Sequence, residues 1–315
     1  MNGTVPERVS AQRAVWVLLA LCGVLYFFRL GTLSFFEEDE PRFASAVRTM
    51  LQTGDYLTPR FNGKLRINKP ILFYWLAAGT SAVAGVGELG ARLPSAILGS
   101  ATVLVLFFFG RRHRSVGFGF IAALALATCL QLSVLARAAT ADMTMIFFLT
   151  VALLAFYHAY THPGARGALL LSWAALGFAT LAKGPAAMVM AAGVVLLFLA
   201  ARGEIRSGLC RLCAPAGILL FLLVAVPWYA IELKLLGQTF YRGFFLAEHV
   251  GRAQGTADGH LGPFWFYVPV FFGMFYPWAC FLPAGVAGVW SERRGAAPLR
   301  LFALCWVVVV FVLFT

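Results

Sequence analysis

The residues best placed for chemistry are four consecutive acids, Glu37 to Glu40, followed at once by Pro41 and Arg42. Asp39 and Arg42 are three residues apart, so in a helix that begins between them they share one face near its N-terminus. Backbone amides at that end favour anions. A carboxylate there can accept a proton, and a guanidinium can hold a phosphate. Helix capping with a surface ion pair is the alternative explanation.

Lys69 lies at the entry to an apolar stretch rich in aromatic residues. A lysine at such a boundary can anchor the chain at a membrane interface, or it can bind a lipid phosphate at the same depth, and the spacing does not separate the two roles. Asn62-Gly63 is a tight-turn signal. The turn is expected to bring Lys69 back toward the start of the helix.

Two further groups of charged residues follow. Arg137 and Asp142 flank four small residues between two apolar runs, where a charge is either functional or paired in a local salt bridge. Glu248, His249 and Arg252 lie together in a later loop. Of these, Arg252 is best suited to clamp a phosphate, because its guanidinium is always charged and can contact two oxygens.

The composition predicts a polytopic membrane protein. Of 315 residues, 61% are hydrophobic and 12% are charged, and the mean hydropathy is +0.83. The net charge of +12 does not indicate nucleic-acid binding, because basic residues of membrane proteins collect in cytoplasmic loops.

The apolar runs predict an all-α bundle of about nine transmembrane helices. The predicted spans are 14–30, 93–110, 117–136, 143–160, 168–182, 186–201, 214–231, 264–288 and 299–315. A tenth run, 71–86, is expected to lie along the interface or to re-enter. If it spanned, the arginine clusters of all later loops would fall outside, against the positive-inside rule. The last run has no polar tail, so we expect the chain to be C-terminally truncated.

This topology predicts a cytoplasmic N-terminus and places three segments on the outer face, which would carry the candidate site. They are the first loop 31–92, the short loop around Arg137 to Asp142, and the loop 232–262. Within the first loop, Phe43, Val47, Met50 and Leu51 recur at helical spacing and Gly54 follows them. They indicate a short amphipathic helix on the membrane. We expect Asp39 or Glu40 to cap it, with Pro41 at its first position.

In order along the chain, these residues resemble those of a known family. The matching segments are Asp39 to Ala44, Gly54-Asp55, Pro59 to Gly63, Lys69 to Leu76, Ala91 to Ser95, Arg137 to Met143, Lys183 to Pro185, Pro227 to Tyr229, Glu248-His249 with Arg252, and Pro263 to Tyr267. Their order resembles the bacterial aminoarabinose transferases that modify lipid A. These belong to the GT-C superfamily, with the protein O-mannosyltransferases as relatives.

The resemblance implies that residues 1–315 form one GT-C-type catalytic domain in the bacterial inner membrane. It would take a sugar from a polyprenyl (undecaprenyl) phosphate carrier and transfer it to a lipid A, other cell-envelope glycan or protein acceptor at the periplasmic face. The expected partners are therefore the lipid-linked sugar donor, the acceptor and membrane lipids. No nucleotide site is expected, because the activated sugar arrives on its lipid.

The resemblance also implies roles for single residues. Asp39 is the catalytic carboxylate and Asp142 a second essential acid, while Arg42, Lys69 and Arg252 hold the carrier phosphate; Glu40, Arg137 and Glu248 support them. His249 matches a metal ligand of the aminoarabinose transferases. Where those enzymes have a glutamate before the lysine, this chain has Asn68, a weaker zinc ligand. A divalent metal is thus the one cofactor that the resemblance implies, and Asn68 weakens its site.

Two other classes remain open from the residues alone. A transporter or lipid flippase would place coupling charges near the middle of the bilayer on broken helices, and the interruption Lys183-Gly184-Pro185 is the one feature that favours it. A scaffold subunit would tolerate replacement of Asp39, Lys69 and Asp142 alike.

Overall fold

A computed structural model describes residues 5–36, 38–251, 266–291 and 298–314, and these are almost entirely helical. The chain divides into two compact units. The first comprises Met1–Arg66 with Ile71–Phe147, and the second Ile67–Pro70 with Phe148–Thr315. One long helix, Ala141–Thr161, begins in the first unit and ends in the second.

The first unit contains helices and one small hairpin. In chain order its elements are α1 (Val5–Cys22) with a π-helical turn (Gly23–Phe27), α2 (Asp39–Thr53), β1 (Arg60–Phe61), β2 (Lys64–Leu65), α3 (Leu72–Ala84), α4 (Glu88–His113), α5 (Val116–Ala127), α6 (Leu130–Ala136) and the start of α7 (Ala141–Thr161). Helix α4 is at the centre of this unit, because α2, α3, α5, α6 and α1 all pack against it.

Among its described residues, the regular elements of the second unit are all helices. Its elements are the rest of α7, α8 (Arg166–Lys183), α9 (Pro185–Arg202), α10 (Ile205–Leu212), α11 (Pro215–Leu236), α12 (Gln238–Phe240), a π-helix (Tyr241–Gly251), α13 (Tyr267–Met274), a 3-10 turn (Trp278–Phe281), α14 (Leu282–Ser291) and α15 (Pro298–Phe314). Helix α8 packs against α9 and α11. Gly184 alone separates α8 from α9, with a φ of +79°, so Lys183-Gly184-Pro185 forms a tight turn between two helices.

The helices fit an all-α membrane protein, as the sequence predicts. Among the described residues, five helices are long and apolar enough to cross a membrane, and the number rises to seven if two bent pairs each count as one span. The five are Ser10–Phe27, Glu88–His113, Ala141–Thr161, Pro185–Arg202 and Pro215–Leu236. The count of nine stays a prediction, since α8 and α15 do not meet the same test. Helix α3 has 13 residues, about 20 Å of helix, which suits the interpretation that it does not span.

Helix α2 confirms the predicted amphipathic helix of the first loop. Phe43, Val47 and Met50 are buried along one face. Gly54 ends the helix with a φ of +73°, and its N–H donates to the Met50 carbonyl at 2.9 Å, the left-handed termination that glycine favours.

The predicted N-cap of α2 is wrong. The helix begins at Asp39, so Asp39 and Glu40 lie in its first turn, Pro41 is its third residue, and the residue before it makes no capping hydrogen bond through its side chain. The reason is that the Glu40 carboxylate turns inward. One of its oxygens accepts the Phe36 N–H, four residues earlier, at 3.1 Å.

The Asn62-Gly63 turn is confirmed as a two-residue β-hairpin. Both residues have positive φ, 50° and 74°, as a type I′ turn requires. Arg60 pairs with Leu65 and Phe61 with Lys64, and the Arg66 N–H closes the hairpin by donating to the Pro59 carbonyl at 2.8 Å. The turn therefore fixes where the residue after β2 leaves the hairpin.

Glycines allow the helices of the first unit to approach closely. A Cβ added at Gly119 of α5 would lie 2.5 Å from the Phe107 carbonyl oxygen of α4, and one at Gly110 of α4 would lie 2.7 Å from the Gly119 Cα. Small residues at a crossing are typical of packed membrane helices, because dispersion contacts there replace the hydrophobic driving force.

The close crossing of α4 and α5 predicts opposite changes in stability when two nearby glycines of α5 are replaced by alanine. We expect Gly119→Ala to destabilise the protein by about 1–3 kcal/mol, because the added methyl group overlaps α4 backbone. Gly117→Ala, on the same helix with nothing within 4 Å of the added Cβ, should instead be neutral or stabilising by up to about 1 kcal/mol. Thermal unfolding in detergent measures both, and an unchanged melting temperature in Gly119→Ala would contradict the close crossing.

Candidate active site

A buried ion pair between Glu40 of α2 and Arg92 of α4 anchors the region around the acidic cluster. Their side chains are 0% and 3% exposed. Arg92 Nε donates to Glu40 Oε1, and Arg92 Nη2 donates to Oε2, both at 2.9 Å. This is the bidentate geometry in which an arginine and a carboxylate bind most strongly.

The rest of each group is also satisfied. The remaining N–H groups of Arg92 donate to three backbone carbonyls of the chain leading into α2, those of Leu30 (3.1 Å), Leu33 (2.6 Å) and Ser34 (3.0 Å). Glu40 accepts two more hydrogen bonds, from the N–H groups of Phe36 (3.1 Å) and Ala139 (2.8 Å). Through Ala139, the start of α2 is tied to the turn that precedes α7.

These contacts keep Glu40 ionised. Burial alone would raise the pKa of its carboxyl group, but the hydrogen bonds from Arg92 and from the Ala139 and Phe36 N–H groups lower it below the ordinary value of 4.5. Glu40, expected to support the site, is thus a structural acid that is closed to solvent.

Asp39, one residue earlier, faces the other way. Its side chain is 36% exposed, and its Oδ1 accepts a hydrogen bond from Arg66 Nη2 at 3.0 Å. Arg66 is itself nearly buried. Its Nε donates to the Tyr74 hydroxyl at 2.9 Å, and its guanidinium lies 4.7 Å from the centre of the Phe43 ring. Asp39 is therefore held by a fixed cation while still reaching solvent.

Arg42 lies on the same side of α2, as its three-residue spacing from Asp39 predicts. Its Nη1 is 3.6 Å from Asp39 Oδ1, and its Nη2 is 3.1 Å from Glu38 Oε2. The side chain is 43% exposed. An exposed ion pair of this kind contributes little to stability, so Arg42 can move to another anion at low cost.

The turn before α7 brings the second pair of predicted residues near this region. Residues 138–141 are buried. Arg137 donates to the Leu25 carbonyl at 3.0 Å, and Asp142, in the first turn of α7, is half-buried. Glu40, the residue after Asp39, accepts the Ala139 N–H. Asp142 follows Ala139 by three residues, so this hydrogen bond links the segment that carries Asp142 to the start of α2.

In the second unit, Lys69 forms a nearly buried ion pair with Glu248, at 11% and 14% side-chain exposure. The hairpin was expected to bring Lys69 toward the start of α2. In the structure it is Arg66 that contacts Asp39 there. A phosphate that reached Lys69 would compete with the Glu248 carboxylate for its ammonium group.

The predicted metal ligands can be tested only in part. Arg252 and the side chain of His249 lie outside the described residues. Within those residues, no three His, Cys, Asp or Glu side chains converge as a metal site. Asn68 offers a buried amide oxygen without a hydrogen-bond partner in the described part of the chain, and the Glu248 carboxylate is already paired with an ammonium group. Asn68 and the paired Glu248 are therefore poor zinc ligands, because zinc prefers free anionic or imidazole groups.

Arg66, Tyr74 and Arg92 are the residues that sequence reasoning missed. Arg92 carried a signal, because an arginine near the start of a transmembrane helix is costly unless it is paired. Arg66 could have been found from the hairpin, because the Asn-Gly turn sets the register of the two strands. That register fixes where Arg66, the residue after β2, leaves the hairpin. Burial raises the pKa of Tyr74 to about 12, so its hydroxyl stays protonated at neutral pH.

Comparison with known proteins identifies relatives along nearly the whole chain. The family described as dolichyl-phosphate-mannose-protein mannosyltransferase matches residues 68–231. Among curated proteins, the undecaprenyl phosphate-alpha-4-amino-4-deoxy-L-arabinose arabinosyl transferase 1 of Pseudomonas fluorescens is 29% identical over 98% of this chain. The corresponding transferase of Pseudomonas aeruginosa is 30% identical over 98%.

The fold has a solved counterpart. The crystal structure of ArnT from Cupriavidus metallidurans bound to undecaprenyl phosphate superposes with a TM-score of 0.85 at 28% identity, covering 95% of this chain and 55% of that one. The chain likewise spans about half the length of the curated relatives, 56% of each of the two named above.

The buried ion pair of Glu40 and Arg92 predicts a free energy of unfolding that depends on pH. Glu40→Gln should destabilise the protein by about 3–5 kcal/mol at neutral pH, because it leaves the Arg92 charge buried without its partner. Since the pKa of Glu40 is lowered on folding, its contribution is present above about pH 4.5 and is lost as the pH falls through the folded value. The gap in melting temperature between wild type and variant should therefore narrow in acid.

Glu38→Gln is the matched control for this prediction, because Glu38 is 86% exposed and pairs only with the exposed Arg42 among the contacts recorded for it. We expect little change in its melting temperature at any pH. Equal destabilisation by the two substitutions would show that Glu40 is not the anchor.

Proposed function

Because the chain belongs to the dolichyl-phosphate-mannose-protein mannosyltransferase family and resembles aminoarabinose transferases within the GT-C superfamily, we propose that it is an integral-membrane glycosyltransferase. It moves a sugar from undecaprenyl phosphate to an acceptor at the periplasmic face of the inner membrane. Lipid A is the acceptor that the relatives favour. Other cell-envelope glycans and proteins are the remaining candidates.

The observation that carries this proposal is the setting of Asp39. A carboxylate that is 36% exposed is held on one oxygen by the nearly buried Arg66, at the start of a helix that lies in a membrane-protein fold. The similarity to a transferase structure that holds undecaprenyl phosphate supports a lipid phosphate as the group that meets the nearby cations.

The proposed reaction needs a base and a means to stabilise the departing phosphate. An acceptor oxygen forms a bond with the anomeric carbon of the sugar, and its proton passes to Asp39. The bond between that carbon and the carrier phosphate breaks, and its electron pair leaves with undecaprenyl phosphate. Negative charge on the phosphate therefore grows in the transition state, and cations placed beside it lower the barrier.

We assign the phosphate to Arg42, Lys69 and Arg252. Arg42 is the described residue that can reorient at least cost, because its ion pairs are exposed. Lys69 would exchange Glu248 for the phosphate. Asp142 is proposed as a second acid near the acceptor, and Arg137 as a residue that holds the turn before α7 in place. We derive no step from a metal ion, because the described donor set does not fit one.

A transporter or flippase is not favoured. The comparisons lead to transferases, and the interruption at Lys183-Gly184-Pro185 is a tight turn between two separate helices, which removes the feature that suggested transport.

Asp39→Asn tests the role of the proposed base. It keeps the side-chain shape but cannot take a proton, so we expect transfer of radiolabelled sugar from undecaprenyl phosphate to fall about 10²- to 10⁴-fold. Because Asp39 is 36% exposed, we expect the melting temperature of this variant to fall much less than that of Glu40→Gln. Glu38→Gln, the neighbouring acid that also contacts Arg42, should keep at least half of the activity. Intact transfer by a well-folded Asp39→Asn enzyme would exclude Asp39 as the base.

Arg66→Gln tests whether Arg66 positions Asp39. We expect kcat to fall about tenfold to a hundredfold, because a small misplacement of the base is costly, whereas KM for the lipid-linked sugar changes little. Arg66→Lys should recover part of kcat, since it keeps the charge without the forked contacts to Asp39 and Tyr74. Arg60→Gln, an exposed arginine of the same hairpin, serves as the control. A rise in KM with unchanged kcat would instead make Arg66 a donor-binding residue.

A further inference from the structure

The second unit contains an apolar cavity of about 470 Å³ that the proposed transfer does not use. It lies between α7, α8, α9 and α10, and its walls include Ala152, Phe156, Trp173, Leu176, Ala192 and Leu212. The polar groups in its wall are already satisfied within the protein. The Ser172 hydroxyl donates to the Ala152 carbonyl at 2.8 Å, and Trp173 Nε1 donates to the Leu212 carbonyl at 3.0 Å. The cavity therefore suits a hydrocarbon chain.

The cavity opens to the surface on the α9 side, where Met188, Val189 and Leu196 are 39%, 53% and 44% exposed. Its α10 wall is fixed by close packing, because a Cβ added at Gly208 of α10 would lie 2.5 Å from Leu199 of α9. A helix with its side chains is about 10–12 Å across, so this volume would hold only about one turn of it. A flexible chain fits better than a further helix.

A second, smaller cavity of about 50 Å³ adjoins the first and shares Leu169 and Leu212 with it. Its wall includes Arg166, the first residue of α8, and Arg211, in the last turn of α10. Both arginines are exposed, and neither makes an ion pair with any described residue. A hydrocarbon-lined cavity thus lies beside a small one that carries two guanidinium groups.

No carboxylate of the described residues forms an ion pair with Arg166 or Arg211. Between Asp142 and Glu232 the sequence has a single acid, Glu204. Its carboxylate already accepts the Tyr160 hydroxyl at 3.0 Å and lies 3.6 Å from Arg202 Nη2. The charge at this end of α8 and α10 is therefore complementary to an external anion, and two guanidinium groups suit a phosphate.

We propose that these two adjacent cavities together bind an anionic phospholipid, with its phosphate between Arg166 and Arg211 and one acyl chain in the apolar cavity. Basic pockets between membrane helices recognise anionic head groups in this way. Asp39, Arg42 and Lys69, which we assign to the transfer reaction, line neither cavity. The positive-inside rule assigns its arginines to the cytoplasmic leaflet.

Trp173 provides a reporter for the test, because bromine atoms on an acyl chain quench the fluorescence of a tryptophan that they touch. The purified protein is placed in nanodiscs that contain phosphatidylglycerol or phosphatidylcholine with brominated acyl chains. The part of the quenching that depends on Trp173 is obtained by subtracting that of Trp173→Phe. We expect this part to be half-maximal at a much lower mole fraction of phosphatidylglycerol than of phosphatidylcholine.

Three substitutions separate this site from general membrane attraction. Arg166→Gln and Arg211→Gln should each reduce the preference for phosphatidylglycerol about fivefold. Arg206→Gln, an equally exposed arginine of α10 that lines neither cavity, should leave it unchanged. Equal quenching by the two lipids, or an equal loss in Arg206→Gln, would overturn the proposal.

Filling the cavity gives an independent check that does not depend on charge. Ala192→Phe should reduce the Trp173-dependent quenching by phosphatidylglycerol several-fold, whereas Ala200→Phe, an exposed alanine of the same helix outside the cavity wall, should not. Quenching of Trp173 by neither lipid in the wild type would show that another segment or a second copy fills the cavity. That result would also overturn the proposal.

Discussion

The buried pair of Glu40 and Arg92 is the interaction on which the candidate site depends. Removing two charges from water costs several kcal/mol for each ion, and attraction between them offsets this only when every other polar atom is also bonded. Here the guanidinium uses all of its N–H groups, and the carboxylate accepts four hydrogen bonds. The pair holds three backbone segments together: the approach to α2, α4 and the turn before α7.

Helical geometry explains how two adjacent acids acquire different roles. Successive residues of a helix point about 100° apart, so when Glu40 turns inward, Asp39 must face outward. The rotation of α2 about its axis is fixed by the buried ion pair of Glu40 and by Phe43, Val47 and Met50, which are buried on the same face. Arg66, brought in by the hairpin and packed on Phe43, then sets the direction of the Asp39 carboxylate.

Much of this architecture could be predicted from the sequence, because it depends on local patterns. The apolar runs, the amphipathic spacing of α2, the left-handed Gly54 and the Asn62-Gly63 turn each have a signal of their own. No such signal shows which residue pairs with which across the fold. Glu40 and Arg92 are 52 residues apart and Asp39 and Arg66 are 27 apart, and no periodicity relates a carboxylate to an arginine at such a distance. Lys69 was favoured over Arg66 because of its place in a motif, although the register of the hairpin favours Arg66.

The span of the hydrogen bond between Glu40 and Ala139, 99 residues, has a consequence for biosynthesis. A membrane protein is inserted from its N-terminus as it is made, and a contact cannot form before its second partner has left the ribosome. Glu40 emerges early, whereas the turn before α7 follows only after α4, α5 and α6. During that interval the acidic segment lacks one of its hydrogen-bond donors, so the Glu40 carboxylate completes its hydrogen bonds only once α6 and the turn after it have been made. The order of synthesis therefore makes the candidate site one of the last parts of the first unit to mature.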